Sequence, residues 1–140
     1  MFNYRLVFKF LGLLLLIEGI CMLLCIPVSV FFHDHDLLPL GISGIISVCT
    51  GGIALFINRK ATKSMSARDG FLIVAIGWIM FSLFGCLPFI FSGEIPSFTD
   101  AYFETISGFT TTGASILDQV EILPHGLLFW RSLTQWLGGM

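Results

Sequence analysis

Three apolar runs, at residues 6–32, 37–57 and 70–91, decide what this chain can fold into. The hydrocarbon core of a bilayer is about 30 Å thick and takes roughly 20 apolar residues of helix to cross. Each run meets that length. Lipid offers no partner to a backbone amide, so a spanning segment must satisfy its own hydrogen bonds, as a helix does. Composition agrees: 56% of the residues are hydrophobic and 11% charged, with a mean hydropathy of +0.93, against roughly 25% charged residues in a soluble domain. The chain is therefore expected to be an all-α membrane protein. The first run is too long for a signal peptide and is followed by no small-residue cleavage site, so it is expected to be a retained helix. A fourth apolar stretch, 126–140, makes about 21 Å of helix. That is too short to cross, and the helix is expected to be truncated at residue 140.

Orientation comes from the basic residues. Arg5 and Lys9 lie near the N-terminus, and Arg59, Lys60, Lys63 and Arg68 cluster between the second and third runs. Cytoplasmic segments carry the Lys/Arg excess, which places the N-terminus and the 59–69 linker in the cytoplasm. The other side then holds Asp34, Asp36, Glu94, Asp100, Glu104, Asp118 and Glu121 against a single base, Arg131. These acids are either ordinary solvated loop charges or an outer mouth that raises the local cation concentration; both can hold together.

The segment between residues 92 and 125 departs from a plain polar loop. Ser92-Gly93-Glu94-Ile95-Pro96 reads as a turn. Ser97 or Thr99 can cap a helix, with Asp100 in its first turn to complement the dipole. A helix over 98–108 follows, about 15 Å long, half the membrane, with Gly108 as its stop. Thr110-Thr111-Thr112-Gly113-Ala114-Ser115 then carries neither charge nor bulk.

Non-helical backbone at membrane depth is tolerated only where protein buries it or where it lines a watery cavity. A strand over 110–115 meets that condition by turning its carbonyl oxygens toward a pore, where rings of carbonyls replace the hydration shell of a cation such as K⁺. The half-helix aims its negative C-terminal end at the same place. Gly113 suits a position whose backbone conformation side chains resist. Alone, such a Thr/Gly run is most often an ordinary loop. The order of apolar span, half-helix, Thr/Gly strand and apolar helix favours the pore.

Residues 103–115, Phe-Glu-Thr-Ile-Ser-Gly-Phe-Thr-Thr-Thr-Gly-Ala-Ser, resemble the first pore loop of the TrkH/KtrB family of potassium uptake proteins. Residues 125–140, His-Gly-Leu-Leu-Phe-Trp-Arg-Ser-Leu-Thr-Gln-Trp-Leu-Gly-Gly-Met, resemble the start of that family's next helix. Two additional spans before the first pore unit favour the TrkH branch. The resemblance covers essentially the whole chain and about the first third of a typical member. It implies four helix–pore loop–helix units around one pore, a multi-pass protein of the bacterial inner membrane, K⁺ as the transported ion, and no organic cofactor or further metal. Movement down the electrochemical gradient, coupled or not to protons or sodium as in a symporter, goes with it. Homodimers and a cytosolic nucleotide-binding regulator of the TrkA type are its implied partners. By position, Thr111, Thr112 and Gly113 would supply filter carbonyls, with Thr110 and Ala114 flanking. The layout is then a two-helix hairpin (1–58), a basic linker (59–69) and a first pore unit (70–140) with outer helix 70–91, pore helix 98–108, filter strand 110–115 and second helix from 126. One strand cannot enclose an ion, so the competing reading is a small non-conducting membrane subunit that packs against partner helices.

Other features point elsewhere. His33-Asp34-His35-Asp36 offers metal-ligand chemistry, but four adjacent residues do not easily converge on one ion, and a polar turn is the simpler reading. Glu18, inside the first span, is expected to serve packing or a partner contact rather than the ion path. Gly41, Gly44, Gly51 and Gly52 allow close helix contact. Arg131 is expected to pair with an outer carboxylate such as Glu104. The four cysteines fall inside apolar runs and read as free thiols. No nucleophile–base arrangement, metalloprotease motif or phosphate-binding glycine loop is present, so an enzyme is not expected. Nor is nucleic-acid binding, for want of basic patches interleaved with aromatics.

Overall fold

The computed structural model describes residues 4–60 and 66–140; Lys63 of the basic linker lies outside the described residues. The elements are α1 (Tyr4–Leu24), α2 (Ile26–Phe32), α3 (Leu37–Ile57), α4 (Ala67–Gly85), α5 (Leu87–Ser92), α6 (Phe98–Phe109), a 3₁₀ turn (Val120–Ile122) and α7 (His125–Gly139). Three helical spans, Tyr4–Phe32 (α1 and α2), Leu37–Ile57 (α3) and Ala67–Ser92 (α4 and α5), are long and apolar enough to cross a membrane.

Two of the three are broken. The first run is interrupted at Cys25, and the outer helix expected over 70–91 at Cys86. Pro27 and Pro88 stand in the first turn of the helix that resumes. Each proline lacks the N–H that would continue the ladder and crowds the carbonyl four residues back, so the axis bends there. The start of α4 is fixed by a capping box: Asp69 N–H donates to Ser66 Oγ at 3.4 Å and Ser66 N–H to Asp69 Oδ2 at 3.1 Å. Two more orphan amides of the helix end are thereby satisfied.

Between apolar helices in lipid, burying apolar surface offers little gain, and close van der Waals packing and hydrogen bonds must hold the bundle. The seam of α1 and α3 shows how. A Cβ on Gly51 would stand 2.6 Å from Gly12 O, and one on Gly19 2.8 Å from Gly44 O, so the two backbones touch where only hydrogen fits. Gly12 and Gly19 thus complete a seam of which the sequence suggested only the α3 half. Gly41 and Gly52 do not belong to it: Gly41 has Ile26 Cδ1 at 3.8 Å as its nearest neighbour, and Gly52 has nothing within 4 Å.

Helix α4 packs on the other side of α1, with Leu11 and Leu14 beside its Gly77. Phe81 stacks on Phe109 at 5.1 Å, and Phe109 meets Trp130 edge-on at 6.4 Å. Trp130 is wholly buried and donates its indole N–H to Gly85 O at 3.0 Å. This aromatic stack joins α4, α6 and α7. It sets α6 antiparallel to α4, since contacts pair 81 with 109 and 85 with 105, and parallel to α7, since they pair 104 with 131, 108 with 134 and 109 with 138.

Candidate ion-binding site

The half-helix α6 begins at Ser97, whose backbone is extended but whose side chain makes no capping bond, and Asp100 lies in the first turn. Gly108 does not stop it. The helix runs to Phe109, and Gly108 is a contact point, where a Cβ would collide with Thr134 Oγ1 of α7. Gly138 serves likewise, since a Cβ there would run into the backbone of Phe109.

Phe81, which stacks on Phe109, stands 14 residues after Ala67 and 11 before Ser92 in the third span. At 1.5 Å per residue those lengths are about 21 and 17 Å. The C-terminal end of α6 therefore lies near mid-length of a helix able to cross the membrane.

The chain leaves α6 by a Schellman turn. Thr112 N–H donates to Ser107 O at 3.0 Å and Thr111 N–H to Gly108 O at 2.9 Å. The left-handed residue this motif needs is usually glycine; here it is Thr111, at φ 57°, and Gly113 follows at φ 75°. The strand expected over 110–115 is thus a turn at its start. Gly113 was anticipated as an unusual backbone position and Thr111 was not, because a β-branched residue is poorly suited to positive φ.

Two side chains one helical turn apart on α6 fasten the segment. Ser107 Oγ donates to Ala114 O at 2.6 Å. Glu104, 2% exposed, accepts from Ser115 Oγ at 3.0 Å, from Ile116 N–H at 3.2 Å and from Arg131 Nε at 2.5 Å. The expected Glu104–Arg131 pair is present, and it is the hub that binds the half-helix, the return segment and α7.

This fastening separates the carbonyls. Thr110 O accepts from Thr111 Oγ1 at 2.7 Å, and Ala114 O is taken by Ser107. The carbonyls of Thr111, Thr112 and Gly113 accept no hydrogen bond from any described residue. Residues 110–116 are all exposed on this chain, and they follow the negative end of the α6 dipole. Thr110 Oγ1 and Thr112 Oγ1 lie 2.8 Å apart, bracing the turn from the hydroxyl side.

The His33–Asp36 turn has another task. Asp34 Oδ2 accepts from His125 N–H at 2.7 Å and lies 2.8 Å from the ring Nδ1; Asp36 Oδ2 accepts from Leu127 N–H at 2.7 Å. Asp36 is also bonded by Ser29 Oγ. Phe32 stacks on the His125 ring at 3.9 Å. The two aspartates cap the N-terminus of α7, whose own N-cap, Pro124, offers no acceptor side chain. Among the described residues no group of three His, Cys, Asp or Glu could hold a metal ion.

These features define an α-helical membrane protein in which a half-length helix and an irregular return segment lie between two long apolar helices. The chain belongs to the TrkH family of cation transport proteins, whose family model matches residues 40–140. It is 41% identical over 139 residues to the Trk system potassium uptake protein TrkH of Halomonas elongata, covering 99% of this chain and 29% of that protein. Against the Trk system potassium uptake protein TrkG of Escherichia coli the identity is 35% over 139 residues, with the same coverage. The crystal structure of the potassium transporter TrkH from Vibrio parahaemolyticus superposes with a TM-score of 0.90 at 34% identity, covering 98% of this chain and 30% of that one. The chain thus spans about three-tenths of the length of these relatives. The family is one of membrane cation transporters, not of enzymes.

Proposed function

We propose that this chain forms the N-terminal hairpin and the first of four pore units of a potassium uptake protein. The carbonyls of Thr111, Thr112 and Gly113 contribute one quarter of a K⁺ filter, flanked by Thr110 and Ala114. The observation that carries the reading is the set of three free carbonyls at the negative end of a half-helix, at mid-length of a spanning helix. Carbonyl oxygens so placed can replace water around a cation without bringing a fixed charge that would hold it too tightly. The family's named relatives, potassium uptake proteins, support K⁺ as the ion. The protein lies in the plasma membrane with its N-terminus cytoplasmic, by the Lys/Arg bias of the linker. In its whole form it acts as a homodimer regulated by a TrkA-type nucleotide-binding partner, with or without a coupling proton or sodium ion.

The test is rescue of a potassium-uptake-deficient bacterium by the full-length gene. Gly113→Ala places a Cβ on a backbone at φ 75°, which disfavours that conformation by roughly 1–2 kcal/mol. The expected result is normal membrane expression with a lowered preference for K⁺ over Na⁺. Unchanged selectivity at normal expression would remove Gly113 from the filter.

A further inference from the structure

Glu18 is the carboxylate that the transport reading leaves unused. It lies within α1, fully buried, and among the described residues neither Oε1 nor Oε2 has a hydrogen-bond partner. A Cβ on Gly85 would stand 2.9 Å from Glu18 Oε1, 2.7 Å from Thr105 Cγ2 and 3.0 Å from Phe109 Cε2. The carboxyl group therefore sits where α1, α4 and the back of the half-helix α6 converge. Ser82, one turn before Gly85 on the same face of α4, is likewise fully buried with an unpartnered Oγ.

The titratable groups beside it are the thiols of Cys21 on α1 and Cys86 at the α4–α5 break. Cys86 Sγ is occupied in donating to Leu83 O at 3.2 Å. On the α6 side, Thr105 and Phe109, which crowd the same point beside Gly85, carry no charge, and no cation among the described residues acts on Glu18. An ionised carboxylate in such a place would have neither counter-charge nor hydrogen-bond donor, the arrangement that buried and intramembrane carboxylates avoid.

We propose that Glu18 is a proton-binding site, held as the uncharged acid and completed by an ordered water shared with the Ser82 hydroxyl. The acid O–H donates to the water, the water donates to Ser82 Oγ, and the Ser82 hydroxyl donates to the carbonyl oxygen of the acid. A buried water makes about two to four hydrogen bonds, and this ring supplies two of them. Glycine at position 85 lets the carboxyl group lie directly against α4. Because the acid, Thr105 and Phe109 crowd the same point beside Gly85, the proton keeps the back of the half-helix free of charge.

The test is infrared spectroscopy of the full-length protein in lipid at neutral pH, wild type minus E18Q. The expected difference is a protonated carboxylic C=O band, shifted in D₂O and absent from E18Q, in a variant that melts close to wild type because the amide is isosteric and neutral. A difference containing only carboxylate bands overturns the proposal, as does a carboxylate band that moves with K⁺ or Na⁺ concentration, which would make the site a cation site. Should E18Q not fold, S82A supplies the readout: the acid band is expected to persist at a shifted frequency, and an unshifted band removes the shared water and Ser82.

Discussion

Asp36 Oδ2 accepts the backbone N–H of Leu127 at 2.7 Å, across 91 residues of sequence. With Asp34 on His125, it caps α7 from the turn that joins α2 to α3. The α2–α3 turn is thereby hydrogen-bonded to the N-terminus of α7. Removing a helix N-cap costs about 0.5–2 kcal/mol. Asp36→Ala is expected at the upper end of that range, because Asp36 is 1% exposed and Ser29 loses its acceptor too. Asp36→Asn keeps an acceptor oxygen and should lose less. Thermal unfolding of the full-length protein in detergent measures both, and equal melting temperatures for wild type and Asp36→Ala would contradict the cap.

The Asp34–His125 contact should show in the pH dependence. The backbone N–H of His125, then its ring, hold the Asp34 carboxyl below its ordinary value of 3.8. A carboxylate with a lowered folded-state value stabilises the fold above the unfolded-state value, and the stabilisation is lost as pH falls through the folded one. The melting-temperature advantage of wild type over Asp34→Asn is therefore expected to be constant above about pH 4 and to shrink under more acid conditions. An advantage that instead grows on acidification would reverse the assigned sign. The contact is exposed enough for salt to weaken it.

Glu104 and Arg131 make a nearly buried pair, with side chains 1% and 17% exposed. Breaking such a pair by removing one partner costs about 3–5 kcal/mol, because the other charge is stranded. Arg131→Ala is expected to reduce the amount of folded protein in the membrane severely. Glu104→Gln should do less, since its amide oxygen can still accept from Ser115 or Ile116. The double reversal, Glu104→Arg with Arg131→Glu, should recover part of the folded protein. Expression and melting of the four proteins give the answer, and a double reversal no better than the worse single change counts against direct pairing.

Thr111 adopts a left-handed conformation at φ 57° in the turn that ends α6. A side chain there costs roughly 1–2 kcal/mol, while glycine adds about 0.5–1 kcal/mol of unfolded-state freedom. Thr111→Gly is expected to hold or slightly raise the melting temperature. Thr111→Val keeps the strain and loses the Oγ1 bond to Thr110 O, so it should lower it. The reverse order would show that the conformation is not strained.

The spans, the half-helix and the irregular Thr/Gly segment after it were legible in the sequence because each follows from residues close together along the chain. Apolar length, a capping acid, glycine and charge distribution act over one or a few helical turns. The breaks at Cys25 and Cys86 were equally local, and Pro27 and Pro88 were the signals that could have revealed them. Thr111 was missed because its left-handed conformation contradicts the preference of its own side chain and is imposed by the bonds to Ser107 and Gly108.

Tertiary structure alone decided what the polar residues do. Seven acids follow the first and third apolar runs, and nothing in their order says that Glu104 meets Arg131, that Asp34 and Asp36 cap a helix 91 residues away, or that Glu18 is buried beside Gly85 of α4. Helix formation in an apolar run is set by the solvent and by the run itself, so it can be computed along one dimension. Which face of each helix meets which neighbour depends on glycine seams and hydrogen bonds between distant segments, and those exist only once the helices have packed.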